Sequence, residues 1–199
     1  IYLSQRNFVE AKNFFIRASL IDIDDPYVCE GVILSLFHLE QFDQALLYFN
    51  MFNIKIKRNS NILNNIGLCC QKLKNFDQSI DLFKKSINEN PLDFSAHFNL
   101  GNSLKEKKKF EECLFHFNKS IEINPSFSNG YFNIANTLRD LKRFEEAVGF
   151  YKQCIDVAPT NVKCLFNLAK LMASQGKFET SIFYYSEVIR LEPDHAEAH

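Results

Sequence analysis

Residues 94–127 read FSAHFNLGNSLKEKKKFEECLFHFNKSIEINPSF, and the next two stretches of 34 residues repeat this pattern. Residues 128–161 read SNGYFNIANTLRDLKRFEEAVGFYKQCIDVAPTN, and residues 162–195 read VKCLFNLAKLMASQGKFETSIFYYSEVIRLEPDH. A phenylalanine recurs at position 17 of each block, at Phe8, Phe42, Phe76, Phe110, Phe144 and Phe178. A fixed period of this length indicates one supersecondary unit that stacks on copies of itself and buries its apolar face against its neighbours.

Each block predicts two short helices. The first carries apolar residues at positions 4, 7 and 11, as at Tyr131, Ile134 and Leu138, and the second begins near position 17. Positions 8 and 20 are small and position 24 is aromatic, as at Gly67, Ser79 and Phe83, which predicts that a large ring fills a hole on the adjacent helix. A short polar turn makes the two helices antiparallel, and proline at position 32 ends the second. The prolines are Pro91, Pro125, Pro159 and Pro193.

This pattern resembles the tetratricopeptide repeat over essentially the whole chain. The pentatricopeptide repeat has nearly the same period but lacks the small, aromatic and proline positions seen here. The resemblance implies an all-α fold, a right-handed superhelical α-solenoid of antiparallel helix pairs. We expect residues 1–199 to form a single array of this kind. Its predicted parts are a partial repeat at 1–25, full repeats at 26–59, 60–93, 94–127, 128–161 and 162–195, and the start of another at 196–199.

The repeat at 26–59 departs from the pattern. It has Gly31 at position 6, Ile33 at position 8 and Lys57 where proline is expected. Its second helix, predicted over about 44–56, carries Phe52 in place of a small residue and is expected to be longer or tilted. We therefore expect a local change in geometry at this junction.

Composition excludes several functions. The formal net charge of -1 gives no overall field that would attract nucleic acid or anionic lipid. No apolar run approaches the roughly 18 residues needed to span a membrane. None of the six cysteines forms a C-x-x-C pair or a zinc-type cluster, so we expect buried thiols in a reducing, cytoplasmic compartment. His195 and His199 are four residues apart but have no evident third ligand, so no metal site is predicted.

The first helices carry the candidate binding residues. In tetratricopeptide repeats, positions 2, 5, 6, 9, 12 and 13 face a concave groove, and in this chain those positions are rich in asparagine and phenylalanine. We call Asn65, Asn99, Asn133 and Asn167, all at position 6, the asparagine ladder. Asn102 and Asn136 stand at position 9, position 5 carries Asn64 and then Phe98, Phe132 and Phe166, and Lys163 and Lys170 are among the groove cations.

A side-chain amide can pair with a peptide N–H and C=O together, and phenyl rings supply apolar area. This predicts a protein-protein interaction scaffold that binds an extended peptide, with a mild preference for acidic segments because groove cations outnumber groove carboxylates. The plain alternative is that asparagine and aromatic residues at these positions are family scaffold.

Two sharper resemblances give alternatives. The ladder is similar to that of the substrate-binding arm of protein O-linked N-acetylglucosamine transferases, which would place a catalytic domain outside this chain. The carboxylate clamp of chaperone-binding members matches at Asn102, Asn133 and Lys163, but Phe98 and Asn167 replace two of its cations. The chain itself carries no catalytic constellation and no cofactor motif, so we predict a non-enzyme without cofactors. Its cut ends would expose apolar helix faces, which predicts possible self-association.

Overall fold

The computed structural model describes residues 5–19, 25–51 and 58–198, and within these ranges the chain forms eleven α-helices and no strand. They are α1 (Gln5–Ser19), α2 (Pro26–His38), α3 (Phe42–Met51), α4 (Ser60–Lys72), α5 (Phe76–Glu89), α6 (Phe94–Glu106), α7 (Phe110–Ile123), α8 (Ser128–Asp140), α9 (Phe144–Val157), α10 (Val162–Ser174) and α11 (Phe178–Leu191). The predicted all-α class of helix pairs is confirmed.

The helices follow the sequence period closely. First helices begin at residues 26, 60, 94, 128 and 162. The second helices α3, α5, α7, α9 and α11 begin at the recurring phenylalanines, whereas the described part of α1 begins at Gln5, three residues before Phe8. Helix α5 ends at Glu89, two residues before Pro91, as the missing amide donor of proline requires. Predicted residues 52–56 of the irregular second helix lie outside the described residues, and α3 is described only to Met51.

The two helices of a pair are joined by the same tight turn. In the turn between α8 and α9, the Arg143 N–H donates to the Leu138 carbonyl at 2.8 Å, and the Lys142 N–H donates to the Arg139 carbonyl at 2.9 Å. These bonds satisfy carbonyls at the end of α8 and require a left-handed residue in the turn. The left-handed residues are Glu40, Lys74, Lys108, Lys142 and Gly176.

The chain divides into two compact units, residues 1–113 and 114–199, with the division inside α7. In unit 1, α2 packs against α1, α3 and α4, and α5 packs against α4 and α6. In unit 2, α9 packs against α8 and α10, and α10 packs against α11. The first helices α2, α4, α8 and α10 therefore contact their own second helices, and α3, α5 and α9 contact the first helix of the next pair in the same unit.

Small residues receive aromatic rings as predicted. A Cβ built at Gly67 would lie 2.5 Å from Cε1 of Phe83, whose side chain is fully buried. In the irregular repeat, Gly31 at position 6 receives the ring of Phe15, and Ile33 at position 8 is buried. The small residue has moved by two positions, which is the local change in packing that this repeat shows in the described residues.

The prediction of six buried thiols is wrong for two cysteines. Cys154 at the end of α9 and Cys164 near the start of α10 form a disulfide with their Cα atoms 6.4 Å apart. The other four are buried and form no disulfide, as predicted: Cys29, Cys69, Cys70 and Cys113. Burial raises the pKa of Cys69 to about 12 and that of Cys70 to about 11, so both stay protonated and unreactive at neutral pH.

Candidate functional site

The phenylalanines at position 5 of the first helices are half-buried against aromatic neighbours. The ring centroid of Phe132 lies 6.4 Å from that of Tyr151, and the ring of Phe166 lies 5.7 Å from Tyr185 and 4.8 Å from His195. These contacts fix the rings while leaving part of each accessible. They can therefore offer apolar area to a ligand with little loss of side-chain entropy.

In unit 1 the ladder residue Asn99 is buried and faces the protein interior. Its side chain is only 8 % exposed, and its Nδ2 donates to Oδ1 of Asn64 at 3.0 Å. Asn64 in turn donates to Oγ of Ser95 at 3.4 Å, and Ser95 Oγ donates to the carboxylate of Asp93 at 2.6 Å. This chain of hydrogen bonds ties α4 to the start of α6, so Asn99 has a structural role in the unliganded protein.

Gln71, at position 12 of α4, extends this polar seam. Its Nε2 donates to the Asn99 carbonyl at 2.8 Å and to Oγ of Ser103 at 2.7 Å. Ser103 Oγ lies 2.7 Å from Oγ of Ser79 on α5, and both serines are fully buried. The seam therefore satisfies the polar groups that α4, α5 and α6 bury against one another.

In unit 2 the residue at position 12, equivalent to Gln71, is the charged Arg139. Nη1 of Arg139, at position 12 of α8, donates to Oδ1 of Asn167 on α10 at 3.0 Å and lies 3.5 Å from the Tyr151 hydroxyl. The Tyr151 hydroxyl donates to Oδ1 of Asn136 at 2.6 Å. Nδ2 of Asn167 donates to the Lys163 carbonyl at 2.8 Å. Three predicted groove residues thus belong to one network around Arg139.

The electrostatics of this network favour negative charge. Burial raises the pKa of Tyr151 to about 12 despite the opposing effect of Arg139, so the hydroxyl keeps its proton and its role as donor. Nη2 of Arg139 lies 3.2 Å from the Asp140 carboxylate, and both side chains are partly exposed. Lys163 and Lys170 are exposed, and neither forms an ion pair among residues 114–198. Cations therefore outnumber carboxylates here.

Each unit has a cavity on its first helices. The cavity of unit 1, about 440 Å³, is lined mainly by amides and acidic groups: Glu30, Asn61, Asn64, Asn65, Asn90, Leu92, Asp93, Phe94 and Ser95. The cavity of unit 2, about 330 Å³, is lined by Arg139, Phe144, Asn167, Lys170, Leu171 and Ser174. Both contain a predicted ladder residue, but their charges are opposite in sign.

The remaining predicted groove residues are placed more simply. Asn65, Asn102, Asn133, Asn136 and Phe98 are half-buried on first helices. Sequence reasoning missed Gln71 and Tyr151 as members of the polar networks. The repeat gave a signal for Gln71, because positions 12 and 6 of successive blocks meet in both units. Tyr151 was recognised only as the aromatic residue that fills a hole.

The described part of the chain has neither a metal-binding cluster nor a membrane-spanning helix. Residues 5–19, 25–51 and 58–198 contain no group of three His, Cys, Asp or Glu side chains arranged to hold a metal ion. Over the same ranges, no helix has the length and apolar character required to cross a bilayer.

Helix pairs that are joined by the same turn and pack side by side within each unit define a helical-hairpin repeat protein. Models of the tetratricopeptide repeat match residues 60–91, 94–127, 128–161 and 150–183. The chain belongs to the tetratricopeptide repeat family. The matches fall in four of the five full blocks, although the block at 162–195 is matched only to residue 183, and the irregular block at 26–59 is not matched.

Solved structures have the same fold at low sequence identity. YrrB, described as a tetratricopeptide repeat protein with an unusual peptide-binding site, is 16% identical, with a TM-score of 0.73 over 92% of this chain and 95% of that chain. A MamA fragment from Desulfovibrio magneticus RS-1 is 16% identical, with a TM-score of 0.76 over 85% of this chain and 96% of that chain. Another MamA structure is 14% identical, with a TM-score of 0.68 over 99% of both chains. A comparison with curated protein sequences finds no match.

Proposed function

We propose that this protein is an interaction scaffold that binds an extended peptide or protein segment along its first helices. The family and the fold support such a role, and the structurally similar YrrB is described as having a peptide-binding site. The observation that carries the proposal is the surface of α8 and α10. There the amide of Asn167 and the guanidinium of Arg139 meet, and the half-buried ring of Phe166 lies one residue away on α10.

This surface keeps hydrogen-bonding capacity for a ligand. Oδ1 of Asn167 accepts one bond, from Arg139, and Nδ2 donates one, to the Lys163 carbonyl. A carboxamide has two acceptor sites and two donor hydrogens, so one of each stays available for a peptide backbone. An extended segment needs such partners when its own polar groups leave water.

The exposed cations add a preference for acidic segments. Lys163 and Lys170 are unneutralised among the described residues of unit 2, so an acidic ligand would meet attraction on approach. We expect no nucleic-acid binding, because these cations are few and the net charge of the chain is -1.

The test is selection of an unbiased peptide library on the protein, followed by fluorescence anisotropy of recovered peptides. The variant Asn133→Ala combined with Asn167→Ala removes ladder amides that are not deeply buried. Asn118→Ala is the matched control, because Asn118 is a half-buried amide on the second helix α7. We expect the double variant to lose binding while the control keeps it, with equal helicity by circular dichroism. Equal binding by both variants, or recovery of no peptides, would reject the groove.

Self-association is a second proposed interaction, and α11 supports it. Phe178, Ile182 and Phe183 on this helix are 60–65 % exposed, whereas Ile80, the equivalent of Ile182 in the repeat at 60–93, is 7 % exposed. Exposed apolar side chains at this spacing favour contact with another copy. Light scattering on the parent and on Ile182→Lys would show whether a larger species exists and depends on this face.

A cytoplasmic location stays a prediction. The buried thiols of unit 1, which form no disulfide, support it. The Cys154–Cys164 disulfide opposes it, because disulfides are rare in reducing compartments.

A further inference from the structure

The cavity of unit 2 is lined by cationic, polar and apolar side chains together. Its 330 Å³ are bounded by Arg139 at the end of α8, Phe144 at the start of α9 and Asn167, Lys170 and Leu171 on α10. We propose that this cavity binds the side-chain carboxylate of a glutamate or aspartate in the bound segment. The inference rests on the proposed peptide-binding function and names one residue type that the groove selects.

Arg139 is held in place for this role. Asn167 accepts from its Nη1, the Tyr151 hydroxyl lies 3.5 Å from the same Nη1, and Asp140 accepts from its Nη2. Its Nε–H makes no hydrogen bond within residues 114–198, and about a third of the side chain (36%) is exposed. A guanidinium fixed at several donors can offer the remaining ones to a carboxylate with little further loss of entropy.

The net positive charge of the cavity lining favours the binding of an anion. Asp140 neutralises part of Arg139 from outside the lining, whereas Lys170 adds a second cation without an ion-pair partner in unit 2. A carboxylate between the two would pair with both cations and replace water around them. The unit 1 cavity contrasts with this, because Glu30 and Asp93 line it and would repel the same group.

The apolar part of the lining favours an amino-acid side chain over a bare anion. Leu171 is buried, and Phe144 is half-buried beside the polar groups. These surfaces can cover the methylene groups of glutamate while its carboxylate reaches Arg139 and Lys170. This arrangement differs from the carboxylate clamp, whose cations stand at positions 2, 5 and 6, because here they stand at positions 12 and 9.

The experiment uses two short probes, acetyl-Ala-Ala-Glu-Ala-Ala-amide and the same peptide with glutamine, titrated into the ¹⁵N-labelled chain. We expect the glutamate peptide to shift the Arg139 Nε–H and Asn167 side-chain resonances and to bind at least about tenfold more tightly than the glutamine peptide, a difference of about 1.4 kcal/mol. Arg139→Gln, which introduces the glutamine that stands at the same repeat position in α4, should remove the difference in affinity between the two peptides. Lys170→Gln should reduce it without a risk to folding, because Lys170 is exposed.

The control is Lys152→Gln on α9, which removes the same charge from an exposed residue outside the cavity. If Lys152→Gln weakens binding as much as Lys170→Gln, a general field acts and the cavity proposal is wrong. Equal shifts with both peptides would overturn the carboxylate site while leaving the peptide groove intact. Absence of shifts from either peptide, together with an unsuccessful library selection, would reject the groove and the cavity together.

Discussion

The two units use the same contact for different purposes. In unit 1 the residue at position 12, Gln71, donates to the backbone carbonyl of Asn99, and the Asn99 side chain turns to Asn64. In unit 2 the residue at position 12, Arg139, donates to the side chain of Asn167 itself. The difference begins at position 5, where unit 1 has Asn64 and the equivalent residue of unit 2 is Phe132, which has no amide. An identical asparagine is thus structural in one unit and accessible in the other.

The covalent difference between the units should have the largest effect. Unit 1 contains four thiols that form no disulfide, and unit 2 contains the Cys154–Cys164 disulfide, which closes a segment with a sequence separation of 10. Reduction should lower the free energy of unfolding by about 2–3 kcal/mol, because a cross-link restricts the unfolded chain. Urea unfolding with and without dithiothreitol would measure this. Titration of the denatured, unreduced protein should find four thiols, and six would contradict the disulfide.

A difference in packing between the two units should have the next largest effect on stability. Gly67→Ala should destabilise the protein by about 1–3 kcal/mol, because the new Cβ would overlap the buried ring of Phe83. Gly149→Ala in α9 of unit 2 is the matched variant, since nothing lies within 4 Å of its Cβ position. It should be stabilising by about 0.5–1 kcal/mol through helix propensity. Thermal unfolding followed by circular dichroism separates the two, and a loss for Gly149→Ala equal to that for Gly67→Ala would show that the ring contact is unimportant.

The ladder itself gives the direct test of the comparison. Asn99→Ala should cost about 1–2 kcal/mol of folding free energy, because it leaves the buried Asn64 oxygen without its donor. Asn167→Ala should cost less than about 0.5 kcal/mol, because its side-chain partner Arg139 is partly exposed and can bond to water instead.

Chemical denaturation of the two variants under identical conditions checks this pair. Similar losses would mean that the two asparagines have the same role, and the comparison between the units would fail. The double variant Asn99→Ala, Phe132→Asn adds a control. Phe132→Asn introduces a side-chain amide at position 5 in unit 2, and this amide should not restore the hydrogen bond that Asn99→Ala removes in unit 1.

The sequence predicted the fold because the fold depends on features that recur. Helix starts, the Gly67–Phe83 contact and the stop before Pro91 each depend on residue size, ring shape or a missing amide at a fixed position in the repeat. Every copy adds evidence for such a feature, so the period of 34 residues predicted second helices that begin near position 17, where α5, α7, α9 and α11 begin. In the irregular repeat, α3 begins at Phe42, two residues before the predicted start. The same reasoning identified which positions carry amides and rings.

The chemistry of the individual amides was less predictable because it depends on pairs of residues from different repeats. Whether Asn99 is buried depends on Asn64, which lies 35 residues away, and the pattern shows that position 5 changes from asparagine to phenylalanine without showing which side chain Asn64 contacts. The Cys154–Cys164 disulfide likewise joins the end of one block to the start of the next. Such pairs occur once in the chain, so periodicity carries no information about them.

The turns between paired helices should give the smallest change in stability. They test whether the two units differ in their backbone as well as in their side chains. Lys108 in unit 1 and Lys142 in unit 2 both adopt a positive φ, of 58° and 60°, whereas Gly176 occupies the same turn position at 73°. A side chain in this region crowds the following carbonyl, so Lys108→Gly and Lys142→Gly should each stabilise the protein by about 0.5–1 kcal/mol after the entropy of the freer unfolded chain is subtracted.

Gly176→Ala should destabilise by a similar amount, and Lys108→Ala and Lys142→Ala serve as controls for the lost charges. Urea midpoints on the five variants would show whether the turns behave alike. Equal gains for Lys108→Gly and Lys142→Gly would confine the differences between the units to their groove residues and cysteines, because the turn geometry is shared. A gain in one unit and a loss in the other would mean that the backbone also differs in energy, and that the contrast between Asn99 and Asn167 cannot be assigned to side chains alone.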